Sequence, residues 1–151
     1  MPRICIDTQF GRLCIEESEG AIVRLAWGGE DDAPDSALLR EAARQMRAYA
    51  DGQLQRFDLP LKVSGSDFQN NVCHAMRSIP FGETRTYGDL AAELVYSAQA
   101  VGQGCGGNPI PVIIPCHRVL GANGLGGFSG GSGIETKVAL LRHEGAAGLL
   151  I

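Results

Sequence analysis

The 151-residue sequence is short of several things, and each shortage argues against a class of protein. No run approaches the roughly 18 consecutive apolar residues of a membrane-spanning helix, so no contact with a membrane is expected. The opening MPRICIDTQFG lacks the basic and apolar regions of a secretory signal, which leaves the cytoplasm as the expected compartment. The five cysteines, Cys5, Cys14, Cys73, Cys105 and Cys116, are odd in number, scattered and free of any CxxC pair. That spacing argues against a disulfide framework and against a zinc site, so reduced thiols are expected. No histidine lies near Cys5 or Cys14, and the glycine spacing is that of neither a P-loop nor a dinucleotide fingerprint; no metal and no cofactor are expected.

Cations are scarce as well. Thirteen Lys and Arg stand against seventeen Asp and Glu, for a formal net charge of -4. Phosphate neutralisation dominates nucleic-acid affinity, so this balance does not argue for such a partner. The deficit is uneven, however. Acids crowd residues 16 to 35, including Glu16, Glu17, Glu30, Asp31 and Asp32, with Arg24 the one cation there, whereas residues 94 to 134 hold Arg118 and no acid. A local nucleic-acid surface in the second half is compatible with that distribution.

What is present suffices for a core: 44% of the residues are hydrophobic. Residues 3 to 28 are β-branched and apolar runs broken at Gly11 and Gly20, which reads as an antiparallel meander. The segment 36–51 places Leu39, Ala42, Ala43 and Met46 at helical spacing behind a Ser36 cap, and FDLPLKVSGSD reads as a last strand and a connector. Beyond it the chain turns helical and glycine-rich. The expected class is therefore α+β, with an N-terminal subdomain over 1–65 that carries a small sheet and a helix, and a mainly helical domain over 66–151. In the latter, 66–79 is one amphipathic helix stopped by Pro80, and 87–109 holds two short helices with a tight connection. These fit either a helix-turn-helix or a plain packing unit.

The chemistry concentrates at IIPCHRV, residues 113 to 119. A cysteine becomes a nucleophile when an imidazole, a cation or a helix N-terminus stabilises its thiolate, and His117 and Arg118 adjoin Cys116. In an extended chain neighbouring side chains point to opposite faces, so His117 serves Cys116 only through a turn or a bridging water. Pro115 favours the turn. A carboxylate that orients the imidazole would complete the relay, and Glu144 after LLRH is the candidate. The bland alternative is a buried, inert thiol beside a turn histidine.

FQNNVCHAMRSIPFGETRTYGDLA, AVGQGCGGNPIPVIIPCHRV, GLGGFSGG and LLRHEG, in that order, resemble the O6-alkylguanine-DNA alkyltransferase family, over about residues 66 to 145. TQFGRL and QMRAYADGQLQRFDLPL resemble its less distinctive N-terminal domain. The resemblance implies a single-turnover, self-inactivating DNA-repair methyltransferase. Its partner would be double-stranded DNA containing O6-alkylguanine, bound through the minor groove, and the protein is expected to be a monomer in the absence of DNA. By that resemblance Cys116 is the alkyl acceptor, His117 and Glu144 its water-linked relay, Asn108 the brace of the active-site turn, and Tyr87 the group that helps rotate the nucleotide and protonate the departing guanine. Val119 and Ser129 would line the guanine pocket, with Lys137 near it. Ala98, Gln99, Ala100 and Gly102 fall on the recognition helix, and Arg118 is expected at the DNA. Gln99 stands where the family usually has arginine, which removes a charge from the group that fills the gap left by a flipped base. Cys73 replaces a typical tryptophan, and Phe128 a frequent tyrosine. A lesion-binding protein that only flags damage, and a Cys-His hydrolase or acyltransferase with an oxyanion hole, are the alternatives.

Overall fold

The computed structural model describes residues 1–146; the last five residues of the expected second domain, 147–151, lie outside the described residues. The chain forms two compact units, Met1–Val63 and Ser64–Ile151.

The first unit is built on strands β1 (Arg3–Thr8), β2 (Gly11–Ser18) and β3 (Ala21–Trp27), antiparallel in that order. Glu19 and Gly20, at φ 50 and 79, form the tight β2–β3 reversal, whose backbone twist needs positive φ at both positions. Helix α1 (Ala37–Ala50) starts where Ser36 Oγ accepts the Leu39 amide at 2.9 Å. Its buried stripe, Leu39, Ala42, Ala43, Met46 and Tyr49, covers the sheet residues Leu13, Ile15 and Ile22. The stretch expected as a last strand meets β3 at a single parallel bridge, Leu61 to Ile22. Pro60 supplies a carbonyl to Ile22 at 2.8 Å but has no amide with which to extend the ladder.

Cys5 and Cys14 correct the expectation of reduced thiols: they are disulfide-bonded. They lie directly opposite each other in the β1–β2 register, and the Cys5 amide points away from β2 to Asp31 Oδ1 at 2.7 Å. This is a non-hydrogen-bonded pair, the register that brings opposed side chains closest. Spacing in sequence does not carry that register.

The second unit begins with α2 (Asp67–Arg77), capped by Ser66. Strand β4 (Arg85–Thr86) runs directly into α3 (Tyr87–Leu94), which starts on a capping box: Thr86 Oγ1 accepts the Asp89 amide at 3.0 Å and Asp89 Oδ2 accepts the Thr86 amide at 2.9 Å. Helix α4 (Ala98–Gly106) follows after a short turn. Strand β5 (Val119–Leu120) pairs in parallel with β4, and α5 (Ile134–His143) closes the described unit. The two-residue ladder places the site: β4 ends one residue before Tyr87, and β5 begins one residue after Arg118. No helix among the described residues is long and apolar enough to cross a membrane.

Helix α4 approaches α2 closely because Gly104 has no side chain. A Cβ there would lie 3.0 Å from Val72 and 3.2 Å from Phe68, and the Gly104 carbonyl accepts Gln69 Nε2 at 2.8 Å. A Gly104→Leu substitution should therefore push α4 off α2 and cost about 2 kcal/mol or more in urea unfolding, whereas Gly102→Ala, whose Cβ would meet nothing within 4 Å, should leave stability within the usual surface range.

Candidate functional site

The apolar run 110–115 is a buried loop rather than a strand: the Ile114 amide bonds the Ile110 carbonyl at 2.8 Å and Val112 sits at φ 72. Asn108 holds this loop at both ends. Its Nδ2 donates to Ile114 O at 2.8 Å, and its Oδ1 accepts the Ile110 amide at 2.9 Å. Pro115 then leads into a single 3-10 turn, Cys116–Arg118. The turn solves the geometric difficulty of adjacent residues, since it sends His117 inward while Cys116 stays half-buried at a cavity.

His117 is fully buried, and its Nε2 lies 2.8 Å from Glu144 Oε2. Arg118 grips the same carboxylate through Nε to Oε1 at 2.8 Å and Nη2 to Oε2 at 3.0 Å. Burial alone would raise the Glu144 pKa, but the hydrogen bonds from His117 and Arg118 and the Arg118 charge outweigh it and hold the group at about 2. Burial pushes the His117 pKa down, against the pull of Glu144. The ring is therefore neutral beside an ionised carboxylate. Because that carboxylate only accepts, the proton sits on Nε2, and Nδ1 carries a free lone pair. Nδ1 is buried and has no hydrogen-bond partner among the described residues. It is a base awaiting a proton.

The cavity of about 500 Å³ is lined by Tyr87, Cys116, Phe128 and Ser129, together with Gly102, Cys105 and Gly106 from α4 and Gly127 from the glycine-rich loop. Burial pushes the Cys116 thiol up from its ordinary value, while the Asn108 side chain and the Lys137 charge pull it down. Lys137, fully buried, donates to Val119 O at 2.6 Å and Gly127 O at 3.1 Å, and its ammonium lies 5.8 Å from the Tyr87 ring centroid. Desolvation brings its pKa down to about 8, so near neutrality it is still mostly cationic. Burial raises the Tyr87 pKa and keeps the phenol protonated, a proton donor facing the cavity. Gly126, at φ 73, lets the loop lie against that ring; a Cβ there would be 2.8 Å from the Tyr87 hydroxyl.

The structure thus gathers Cys116, His117, Glu144, Asn108, Tyr87, Lys137 and Ser129 around one place. Val119 is buried beneath it, tied to Lys137 through its carbonyl, and does not line the cavity. Ala98 and Gln99 are exposed at the start of α4, Ala100 is half-buried, and Gly102 faces the cavity. Arg118 differs from expectation. It is buried, its Nη1 donates to Ile79 O at 2.7 Å, and its guanidinium lies 5.9 Å from the Phe81 ring centroid, so it has no free face for DNA. Sequence reasoning missed this use of Arg118, and it missed Cys105 and Gly106 as cavity residues. Once α4 is assigned, their places three and four residues beyond Gly102 put them on its face.

Residues 67–146 match the family described as 6-O-methylguanine DNA methyltransferase, DNA binding domain, and residues 2–63 match the ribonuclease-like domain of 6-O-methylguanine DNA methyltransferase. A methylated-DNA–protein-cysteine methyltransferase of Methanosarcina acetivorans is 45% identical over 123 residues, 76% of this chain and 78% of that protein. The constitutive one of Bacillus subtilis is 38% identical over 152 residues, 91% of this chain and 92% of that protein. Among solved structures, a Mycobacterium tuberculosis O6-methylguanine methyltransferase superposes with a TM-score of 0.84 at 37% identity, covering 95% of this chain and 92% of that one. The Mycobacterium tuberculosis OGT in complex with DNA gives 0.83 at 40% identity, over 93% and 91%.

The Glu144 carboxylate makes stability depend on acid. A folded pKa of about 2 against an ordinary 4.5 contributes stability that is complete above pH 4.5 and is lost as pH falls toward 2. Wild-type unfolding free energy should drop by about 3 kcal/mol over that window. Glu144→Gln should be less stable at pH 7, because Arg118 is left buried without its counter-charge, and should show a flatter acid profile by chemical denaturation.

Proposed function

Because the chain belongs to the 6-O-methylguanine DNA methyltransferase family, we propose that it performs direct-reversal DNA repair by moving an alkyl group from guanine O6 to Cys116 Sγ. The observation that carries the assignment of Cys116 is its place in the lining of the cavity, on the same 3-10 turn as the buried His117 that is paired with Glu144. The thiol loses its proton to His117 Nδ1 through a bridging water, and the resulting imidazolium is stabilised by Glu144. Lys137 and the Asn108 amide favour the thiolate. The thiolate attacks the alkyl carbon in line; the S–C bond forms as the C–O6 bond breaks, and Tyr87 supplies a proton to the departing guanine. A thioether is not reversed by water, so each molecule reacts once.

The target base must leave the duplex to reach this cavity, at a cost of a few kcal/mol. Helix α4, with Ala98, Gln99 and Ala100 at its exposed start, is the surface that meets the minor groove, and small residues there permit close approach. Ser129 and the backbone beside Cys116 hold the guanine, and the protein is a monomer in the absence of DNA. The reaction needs a reduced Cys116, which suits a reducing cytoplasm; the Cys5–Cys14 bridge lies in the other unit and leaves that thiol free.

Incubation with a duplex carrying one O6-methylguanine should add a single methyl to the intact mass, mapped to Cys116 and absent in Cys116→Ser. Binding without a mass change would instead make the protein a lesion sensor. Gln99→Arg should speed transfer from duplex by roughly tenfold, since a charge-assisted bond replaces a neutral one, and should leave the rate on free O6-benzylguanine unchanged.

A further inference from the structure

From Tyr87 to His117, through both helices of the helix-turn-helix, the chain has no lysine or arginine; its charged side chains there are Asp89 and Glu93. Affinity for a polyanion through this segment therefore cannot come from counterion release by its own side chains. The turn between the helices holds an exposed, strained residue. Val95 is 87% exposed and adopts φ 60, ψ 47 as the residue closing α3. A β-branched residue in the left-handed region is unfavourable, and helices that end this way usually place glycine there. An exposed valine recovers nothing by burial. The fold gains neither contacts nor relaxed geometry from this side chain.

The surroundings fix the turn regardless. The Tyr96 amide bonds the Ala91 carbonyl at 3.0 Å, the Tyr96 ring stands edge-on against Phe68 at 4.6 Å, and Ser97 Oγ accepts the Ala100 amide at 3.1 Å to start α4. Tyr96 itself is 41% exposed, so an apolar knob of two residues precedes the helix assigned to DNA. Strain that the surrounding structure holds in place points to use elsewhere.

We propose that Val95, braced by Tyr96, is an apolar contact for duplex DNA, pressed against the sugar and base edges beside the displaced nucleotide. This rests on the reading of α4 as the DNA-facing helix. Apolar side chains wedged at base steps help proteins that bind the minor groove to unstack them, and the gain is desolvation rather than charge. The contact offsets part of what an uncharged Gln99 and a cation-free turn leave out.

Val95→Gly and Val95→Asn test this, because both residues tolerate positive φ. Binding to an O6-methylguanine duplex is measured in the Cys116→Ser background across a salt series, and transfer rates are measured with Cys116 present. Duplex affinity and transfer rate should fall about fivefold. The slope of affinity against salt and the rate on free O6-benzylguanine should stay near those of the parent, and the thermal midpoint should hold or rise as the strain at positive φ is relieved. Unchanged duplex affinity in both variants overturns the proposal, as does a changed salt slope. If the parent protein itself gains no methyl on Cys116 from duplex, the reading of the site fails first, and this inference with it.

Discussion

Glu144 is an ionised carboxylate out of reach of water, and burying such a group without partners costs several kcal/mol. The fold meets that cost with two side chains from one 3-10 turn. Arg118 takes both oxygens, His117 takes one, and the turn is thereby fastened to the end of α5. Arg118 also reaches back to Ile79 just past α2, so one guanidinium joins three parts of the unit. Cys116 is the remaining member of the turn. Its position follows from where its two neighbours are anchored.

The same interaction sets the protonation states. An acceptor-only carboxylate assigns the His117 proton to Nε2 and leaves Nδ1 basic. Arg118 and Lys137 nearby also oppose a positive charge on the ring, so His117 rests neutral. Burial pushes the Cys116 thiol up, toward its protonated form, against the pull of Asn108 and Lys137. Cys105, in the same cavity, is pushed by burial to about 12 and is inert by comparison. Two thiols share one cavity, yet the hydrogen-bonding Asn108 favours the thiolate of Cys116 alone.

Local pattern made part of this legible. The Ser36 cap, the helical stripe of α1 and the breaks at Gly11 and Gly20 are short-range signals, and each corresponds to an element that formed. The His117–Glu144 pairing was readable because the Cys-His dipeptide restricts the chemistry, and because the single carboxylate after LLRH lies one helix away. What escaped depends on register or on long-range burial. Opposition of Cys5 and Cys14 is a property of strand pairing, and the inward turn of Arg118 follows from a 3-10 geometry that an extended reading of PCHRV does not contain. The supposed last strand failed at Pro60, where a missing amide outweighed apolar alternation.

The placement of the cations ties these threads together. Between Tyr87 and Lys137 the chain has two, Arg118 and Lys137, and both are buried. One neutralises the carboxylate that orients the base; the other bonds two carbonyls behind the cavity and lowers the thiol pKa. Positive charge that would serve a polyanion from the surface is used instead on the nucleophile from beneath. On the proposed reading of α4, a segment so depleted would hold DNA by shape, backbone amides and apolar contact, interactions that operate only once the groove is closely approached. Glycine and alanine along α4 permit that approach, so an uncharged helix start and an electrostatically tuned cavity are two consequences of the same distribution of charge.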